Sequence, residues 1–399
     1  MNSILENKQG LKVLVAAATL QLFMGIVYVW SVFVIPVSEF YNWDPEAVKL
    51  TTSYMLCFFG LGIFAGGKLI EKLGASKVVL MGGLLLSSGL FVTAFIPTST
   101  PWLIYITYGI FGGFGVGAAY NANISSAQKW FPKNRGFATG VSVCAFGFST
   151  VIFAPLIEAL IRNFGLQQAF LILFAMFITA VLTLFRFVKL PETTGTIDEA
   201  MAQLLEKKQY TTSQVLVKKE FYFMALSFML VTSVFLVLNP SFKTLAIERG
   251  IDPMIGTVIV MLTGIANAFG RLSIPVLSDS IGREKVALLI ITTTALCALA
   301  LMSAQGFVFM VTILLIAFCY GGYTGVIPVL VADYFGIKHV GSNYGMLSVG
   351  FALSALTVPM IVSQIESVTL KFAVLTTFAV IGALLVVLLK RSKEKDDPR

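Results

Sequence analysis

Long apolar stretches without a charged residue are the feature that most constrains the fold of this 399-residue chain. Hydrophobic residues make up 57% of the sequence and charged residues only 12%, which is more apolar surface than a soluble domain can cover. A helix that crosses a bilayer needs about 20 mostly apolar residues. Ten uncharged stretches of about this length or longer occur, at 13–38, 50–67, 78–128, 136–157, 163–185, 221–242, 253–270, 286–332, 339–365 and 372–389.

Two of these stretches are long enough for two helices each, and turn-forming residues interrupt both. The segment Pro97–Pro101 divides the stretch 78–128, and Gln305-Gly306 divides the stretch 286–332. The sequence therefore predicts an all-α membrane protein with twelve transmembrane helices. The first stretch is longer than the core of a signal peptide and lacks a small-residue cleavage site, so we expect it to remain as helix 1.

The basic residues are distributed unevenly between the two sides that this topology creates. If both termini are cytoplasmic, all but six of the 28 Lys and Arg residues fall in cytoplasmic segments. Membrane proteins show this asymmetry generally, so the net charge of +8 records topology, and no nucleic-acid partner is expected. The exceptions are Lys49, Arg162, Lys243, Arg249 and Lys371 on the outer side and Arg271 within a helix.

A six-helix pattern occurs twice in the chain, as it does in many transporters. The loop after helix 2 and the loop after helix 8 share an acid, a glycine and a lysine in register, 208 residues apart. The residues that we assign to these two gating loops are Glu71, Gly74 and Lys77 in the first copy and Asp279, Gly282 and Arg283 in the second.

The repeat divides the chain into two bundles. We expect an N-terminal six-helix bundle at 1–188 and a C-terminal six-helix bundle with a short cytoplasmic tail at 219–399. The segment 189–218 between them is the longest polar stretch and is predicted to be a cytoplasmic linker. Within it, 197–208 has a helical composition that would suit the membrane surface.

The two loops resemble the acid-x-x-Gly-x-x-Lys signature between helices 2 and 3 of the major facilitator superfamily. The first copy departs from the usual form, with Glu71 where the family has Asp and Ala75 where it has Arg. The resemblance covers the whole six-plus-six layout. It implies two pseudo-symmetric six-helix bundles and a secondary transporter that works by alternating access.

Shorter stretches narrow the resemblance to the oxalate/formate antiporter family, a branch close to monocarboxylate transporters. They are Tyr28-Val29-Trp30-Ser31, Lys129-Trp130-Phe131-Pro132 with Arg135-Gly136, Gly270-Arg271 followed by Ser278-Asp279, and Asn343-Tyr344-Gly345. On this basis we expect a multi-pass protein of the bacterial cytoplasmic membrane, monomeric in the bilayer and without a cofactor. Its partners would be a small carboxylate and a proton or counter-anion.

Arg271 is the residue whose position most needs an explanation. Eighteen uncharged residues precede it, and the next charge is Asp279. An arginine at the centre of a membrane helix costs about 2.5–3.5 kcal/mol and cannot lose its proton. It could extend to the membrane surface or pair with a fixed carboxylate, but no acidic residue lies mid-helix. We therefore expect Arg271 to bind an anionic substrate, with Asn267 one turn before it on the same face.

The family resemblance adds further residues to the expected cavity. It implies that Tyr28, Tyr120, Phe146 and Tyr320 line the centre, whereas the sequence alone favours a packing or interfacial role for each of them. Where the oxalate exchanger of this family has a second cation, a lysine, this chain has Phe351. A single cation beside an aromatic wall favours a monocarboxylate such as lactate, pyruvate or formate.

Two other transport functions remain open at this stage. One is an oxalate/formate-type dicarboxylate exchanger, and the other is a neutral-solute or drug exporter of the same fold. An empty Arg271 is a poor state to carry through a closed intermediate, which favours anion exchange modestly. The resemblance to monocarboxylate transporters, which are often proton symporters, leaves the coupling open. A sensor that signals through its tail is disfavoured, because the tail after Lys390 is short.

Catalysis and metal binding find little support in the residues. The single histidine, His339, lies in a loop, where it is expected to be solvated, and no nucleophile, base and acid form a recognisable set. The cysteines read as small packing residues, and Gly109, Gly113 and Gly117 as close helix contacts. The cysteines are Cys57, Cys144, Cys297 and Cys319.

Overall fold

The computed structural model describes residues 7–191, 208–239 and 242–396. Within these ranges the chain forms fifteen α-helices and no strand. Seven helices precede the central gap: α1 Lys8–Met24, α2 Trp30–Tyr41, α3 Pro45–Leu73, α4 Ala75–Thr93, α5 Gly113–Trp130, α6 Arg135–Phe164 and α7 Leu166–Leu184. Eight follow it: α8 Thr212–Val215, α9 Lys219–Leu238, α10 Phe242–Glu248, α11 Pro253–Ile281, α12 Arg283–Ala300, α13 Gly306–Phe335, α14 Val340–Ser363 and α15 Val368–Asp396.

These helices form twelve long rods in the described ranges. A 3₁₀ turn at Gly25–Tyr28 joins α1 to α2, and a π-helix at Tyr105–Gly112 leads into α5. Judged one at a time by length and composition, nine of the described helices are long and apolar enough to cross a membrane. The long uncharged stretches are broken at 94–102 and 301–305, where the turn-forming residues predicted a break. The all-α, twelve-helix prediction is confirmed.

The same packing pattern occurs in both halves of the molecule. In the first half α3 packs on α5 and α4 packs on α7, and in the second half α11 packs on α13 and α12 packs on α15. The halves meet along two long contacts, α3 with α14 and α6 with α11. These two contacts join equivalent helices of the repeat, so the interface itself has the symmetry that the sequence predicts.

Glycines allow the two halves to approach at the backbone. A Cβ atom on Gly136 of α6 would overlap the carbonyl oxygen of Pro275 in α11. A Cβ atom on Gly67 of α3 would overlap the carbonyl oxygen of Gly341 in α14. Small residues serve this purpose in membrane helices, where close van der Waals packing holds helices together.

The glycines of α5 and its π-helical lead-in also lie against α3. A Cβ atom on Gly113 would overlap the carbonyl oxygen of Met55, and one on Gly117 would overlap that of Phe59. The interpretation of these glycines as close helix contacts is confirmed. The contact of Gly117 with Phe59 also fixes the position of Phe59 along α5, the helix that carries Tyr120.

The repeated loop glycines have a backbone role. Gly74, between α3 and α4, has a φ of 82°, and Gly282, between α11 and α12, has a φ of 103°. L-residues with a side chain rarely adopt these values. The glycine of each loop therefore makes the sharp reversal that lets one long helix follow another without a spacer.

The described residues on both sides of the central gap, Lys189 and Tyr210, bind the helices at one end of the molecule. We call this end the linker end. The Trp130 indole N–H donates to the Lys189 carbonyl oxygen at 2.7 Å. Further along, the Tyr210 N–H donates to the Phe335 carbonyl at 3.0 Å, and the Asn343 amide donates to the Tyr210 carbonyl at 2.9 Å. Most of the surface helix predicted at 197–208 lies outside the described residues.

Candidate functional site

Arg271 lies in the middle of α11 and is 2% exposed. Its Nε donates to Asn267 Oδ1 at 2.7 Å, and its Nη2 donates to the Tyr28 hydroxyl at 3.1 Å. No carboxylate pairs with it among the residues that the structure describes. A buried charge normally has a partner of opposite charge, because desolvation of an unpaired ion is costly. The charge of Arg271 is therefore not neutralised by any carboxylate of the described residues.

Three aromatic rings surround the guanidinium. Its Cζ lies 5.8 Å from the ring centroid of Tyr28, 5.7 Å from that of Phe146 and 5.9 Å from that of Tyr320. Rings within about 6 Å attract a cation through their electron-rich faces. Tyr28 and Phe146 belong to the first half and Tyr320 to the second, so the cation lies between the two bundles.

A narrow cavity of about 20 Å³, room for about one water molecule, lies next to these groups. Asn267 lies behind the cavity and holds the guanidinium from its own helix. The predicted site residues that line the cavity are Tyr28, Tyr120, Phe146, Arg271, Tyr320 and Phe351.

Six further residues line the same cavity and were not assigned to it from the sequence: Phe59, Ile63, Phe228, Thr324, Tyr344 and Ser348. Helical spacing could have found some of them. Tyr344 and Ser348 precede Phe351 by seven and three residues, which places the three on one face of α14. Phe228 on α9 had no such signal.

Backbone contacts position Arg271 and its neighbours. A Cβ atom on Gly147 of α6 would lie 3.3 Å from Arg271 Cδ, so the glycine leaves room for the arginine stem. A Cβ atom on Gly321 of α13 would overlap the Asn267 carbonyl oxygen. The Tyr320-Gly321 pair therefore brings α13 against α11 at the level where the Tyr320 ring reaches the guanidinium.

Arg249 at the opposite end provides a contrast. Its guanidinium donates to the carbonyl oxygens of Leu245, Leu301 and Ala304 at 2.9–3.2 Å, so it ties the end of α10 to the turn between α12 and α13. All of these partners are backbone groups that belong to the fold. Arg271 has no comparable set of fixed acceptors and is the better candidate for binding a substrate.

The second gating loop joins the halves at the linker end. Asp279 accepts hydrogen bonds from the Gly136 N–H at 3.1 Å and the Phe137 N–H at 3.0 Å. These N–H groups begin α6, where the helix dipole favours a negative charge. Arg283 pairs with both Asp279 and Asp333. Gly282 makes the turn that brings Arg283 back toward Asp279.

The first gating loop makes the symmetry-related contact. Glu71 accepts a hydrogen bond from the Ser342 hydroxyl in the first turn of α14. His339 Nδ1 lies 2.9 Å from Glu71 Oε1, so the single histidine contacts the opposite half instead of being merely solvated. Lys77 is exposed in the first turn of α4. Both loops therefore contact the opposite half at the linker end.

Metal ligands and disulfides do not define a site in the described ranges. No group of three or more His, Cys, Asp or Glu side chains there could hold a metal ion. The four cysteines are free, and three of them are buried.

A family model described as Major Facilitator Superfamily matches residues 15–307 and 224–399. The chain is 27% identical to the Escherichia coli (strain K12) protein named Uncharacterized MFS-type transporter YhjX, over 86% of this chain and 85% of that protein. It is 25% identical to the Oxalate:formate antiporter of Oxalobacter formigenes, over 80% and 76%. It is 24% identical to Monocarboxylate transporter 12 of Xenopus laevis, over 85% and 78%.

Solved structures share the fold at low sequence identity. The proton:xylose symporter XylE bound to 6-bromo-6-deoxy-D-glucose superposes with a TM-score of 0.77 at 16% identity, covering 94% of each chain. The human organic anion transporter MFSD10 (TETRAN) superposes with a TM-score of 0.72 at 15% identity, covering 96% of this chain and 99% of that one. At these identities the likeness concerns the fold alone.

Proposed function

Because the chain belongs to the major facilitator superfamily, we propose that it is a secondary transporter that carries small monocarboxylates across the cytoplasmic membrane of a bacterium. The transported anion would bind Arg271 and would cross by alternating access, with exchange of one anion for another as the favoured cycle. Residues 1–188 and 219–399 would be the two moving bundles.

The observation that carries the proposal is a buried cation that pairs with no carboxylate in the described part of the chain. Arg271 lies between the halves, beside a cavity, with an amide and a phenol as its hydrogen-bond partners. A carboxylate could replace the Tyr28 contact and form a hydrogen bond in which both the donor and the acceptor are ionised. A neutral-solute or drug exporter would have no need for such a residue.

The aromatic lining favours one negative charge over two. Phe351 stands on the cavity wall, and Arg271 is the one cation among the lining residues. A dicarboxylate would bring a second charge into this wall without a partner, which is unfavourable in a low-dielectric site. Relatives named for oxalate and formate and for monocarboxylates support a small organic anion in general.

Orientation in the membrane follows from the same argument. We place the linker end, with both chain termini, on the cytoplasmic side, because basic residues concentrate there. The contacts of Glu71 and Asp279 then close the cytoplasmic side. Their rupture would open the cavity to the cytoplasm in the other half of the cycle.

The test is uptake of labelled carboxylates into proteoliposomes by the full chain. We expect preloading with unlabelled pyruvate to accelerate uptake of labelled pyruvate strongly, and an imposed pH gradient alone to accelerate it less. Arg271→Gln should remain inserted and lose this exchange, because no other cation lines the cavity. Arg162→Gln, which changes an exposed arginine, serves as the matched control.

Two outcomes would contradict the proposal. If Arg271→Gln exchanges pyruvate normally, the anion site lies elsewhere. If a pH gradient drives concentrative uptake into empty vesicles better than preloading does, the protein is a proton symporter and the preference for exchange is wrong.

A further inference from the structure

The cavity has two unlike ends. At one end the Arg271 guanidinium lies within 6 Å of the rings of Tyr28, Phe146 and Tyr320. Three other phenylalanines of the lining form a second group, which we call the aromatic end: Phe59, Phe228 and Phe351.

The rings of the aromatic end pack directly on one another. Phe228 and Phe351 stack with centroids 5.6 Å apart and an interplanar angle of 26°. Phe59 meets Phe351 edge-on at 6.3 Å. The three rings come from α9, α14 and α3, so both halves of the molecule contribute to this end.

The two ends are linked through Phe59. Its ring lies 5.8 Å from that of Phe146, which contacts the guanidinium, and 6.3 Å from that of Phe351. A molecule whose carboxylate binds Arg271 would therefore extend its carbon chain past Phe59 toward Phe228 and Phe351. The aromatic end is where that chain would stop.

Phe228 is held from behind by a buried polar pair. Its ring lies 6.1 Å from Tyr323, whose hydroxyl is 2.6 Å from the hydroxyl of Ser227. Tyr323 is 1% exposed, and Ser227 also donates to the carbonyl of Gly382 on α15. A ring with this support cannot easily move back to admit a longer ligand.

We propose that Phe228, stacked on Phe351, is the wall that limits the length of the transported acid. The inference rests on the proposed function, because it assumes a carboxylate at Arg271. A short acid such as pyruvate would end in front of the wall. Longer or branched acids overlap it, and protein interiors tolerate extra methylene groups poorly.

The experiment compares exchange of pyruvate with exchange of 4-methyl-2-oxopentanoate, a branched six-carbon acid, in vesicles preloaded with pyruvate. We expect the intact protein to prefer pyruvate by tenfold or more, since a single methylene can change selectivity by about 10- to 200-fold. Phe228→Ala should raise the rate for the longer acid relative to pyruvate by about tenfold. Phe307→Ala, which removes an exposed phenylalanine at the start of α13, should leave the ratio unchanged.

A second variant guards against misfolding. Phe228→Leu keeps most of the buried volume and removes the flat ring, so it should shift the ratio in the same direction by a smaller factor. If both Phe228 variants leave the ratio unchanged, or lower both rates equally, the residue is structural and the inference is wrong.

The proposed function can be judged separately in the same assay. Loss of all exchange in Arg271→Gln with an unchanged ratio in both Phe228 variants would retain the anion site and reject the wall. An intact protein that exchanges neither acid would reject the proposed function itself. Equal exchange of both acids by the intact protein would reject the wall alone.

Discussion

At the residue scale, the candidate site depends on Asn267, which places a neutral amide and not a carboxylate beside Arg271. Asn267 Oδ1 accepts a hydrogen bond from Arg271 Nε at 2.7 Å, so it orients the guanidinium without neutralising it. A carboxylate of the same shape would form a fixed ion pair instead. The amide therefore leaves the positive charge available to a mobile anion.

We expect Asn267→Asp to weaken substrate binding. The new carboxylate would lie within hydrogen-bond distance of Arg271 and compete with the transported anion for the same charge. The apparent KM for pyruvate exchange should rise about tenfold or more, which corresponds to at least about 1.4 kcal/mol. The concentration dependence of exchange measures this effect.

Asn267→Ser is the control, because it shortens the acceptor without adding a charge. A KM that rises equally in both variants would mean that Asn267 acts through geometry alone. An unchanged KM in Asn267→Asp would remove Arg271 from the substrate site.

At the scale of helices, the sequence predicted the elements well and their faces only in part. Charge-free stretches and turn residues predicted where the long helices lie, because a helix that spans a membrane has a minimum length. Helical spacing placed Asn267 next to Arg271, because it depends on one helix alone. Phe59 and Phe228 were missed, since their place in the cavity depends on how α3 and α9 are rotated against other helices.

The gating loops show the same limit. Their glycines could be predicted from the repeat, because a reversal of this kind needs a positive φ. The contact of Glu71 with His339 could not, because 268 residues separate the two in the chain and they belong to different bundles. The repeat shows that Glu71 and Asp279 are equivalent residues, but it does not predict which residues of the opposite half each of them contacts.

The glycine contacts between the halves lead to a prediction for α6. In Gly136→Ala the new methyl group would overlap the Pro275 carbonyl oxygen, so the linker end should no longer close fully. Overpacking of this kind costs about 1–3 kcal/mol, which would shift the equilibrium toward the open linker end by about fivefold or more. The readout is alkylation of buried Cys144 in a chain whose other three cysteines are replaced by alanine.

Gly264→Ala on α11 is the matched control, because a Cβ atom there meets nothing within 4 Å. Faster alkylation from the linker side is expected in Gly136→Ala and not in Gly264→Ala. Equal alkylation rates in the two variants would show that close approach at Gly136 does not hold the halves together.

At the scale of the whole molecule, two related bundles enclose one cation. The contact of α6 with α11 is equivalent to that of α3 with α14, and Arg271 lies on α11, at one of these two interfaces. The hydrogen bonds of Glu71 and Asp279 join the bundles at the linker end. Because the two interfaces between the bundles are similar, the molecule could open at one end while it closes at the other. This suits a mechanism in which two rigid bundles rock about a central site.

The unpaired charge of Arg271 also has an electrical consequence. With a monoanion bound, the site is neutral, whereas the empty site carries one positive charge through part of the transmembrane field. A full crossing of one charge changes the free energy by about 2.3 kcal/mol per 100 mV. With the potential set by potassium and valinomycin, one-for-one exchange should be insensitive to voltage, whereas net efflux without counter-substrate should change severalfold. Exchange that varies strongly with voltage would mean that the loaded carrier is charged. In that case the bound anion does not neutralise Arg271.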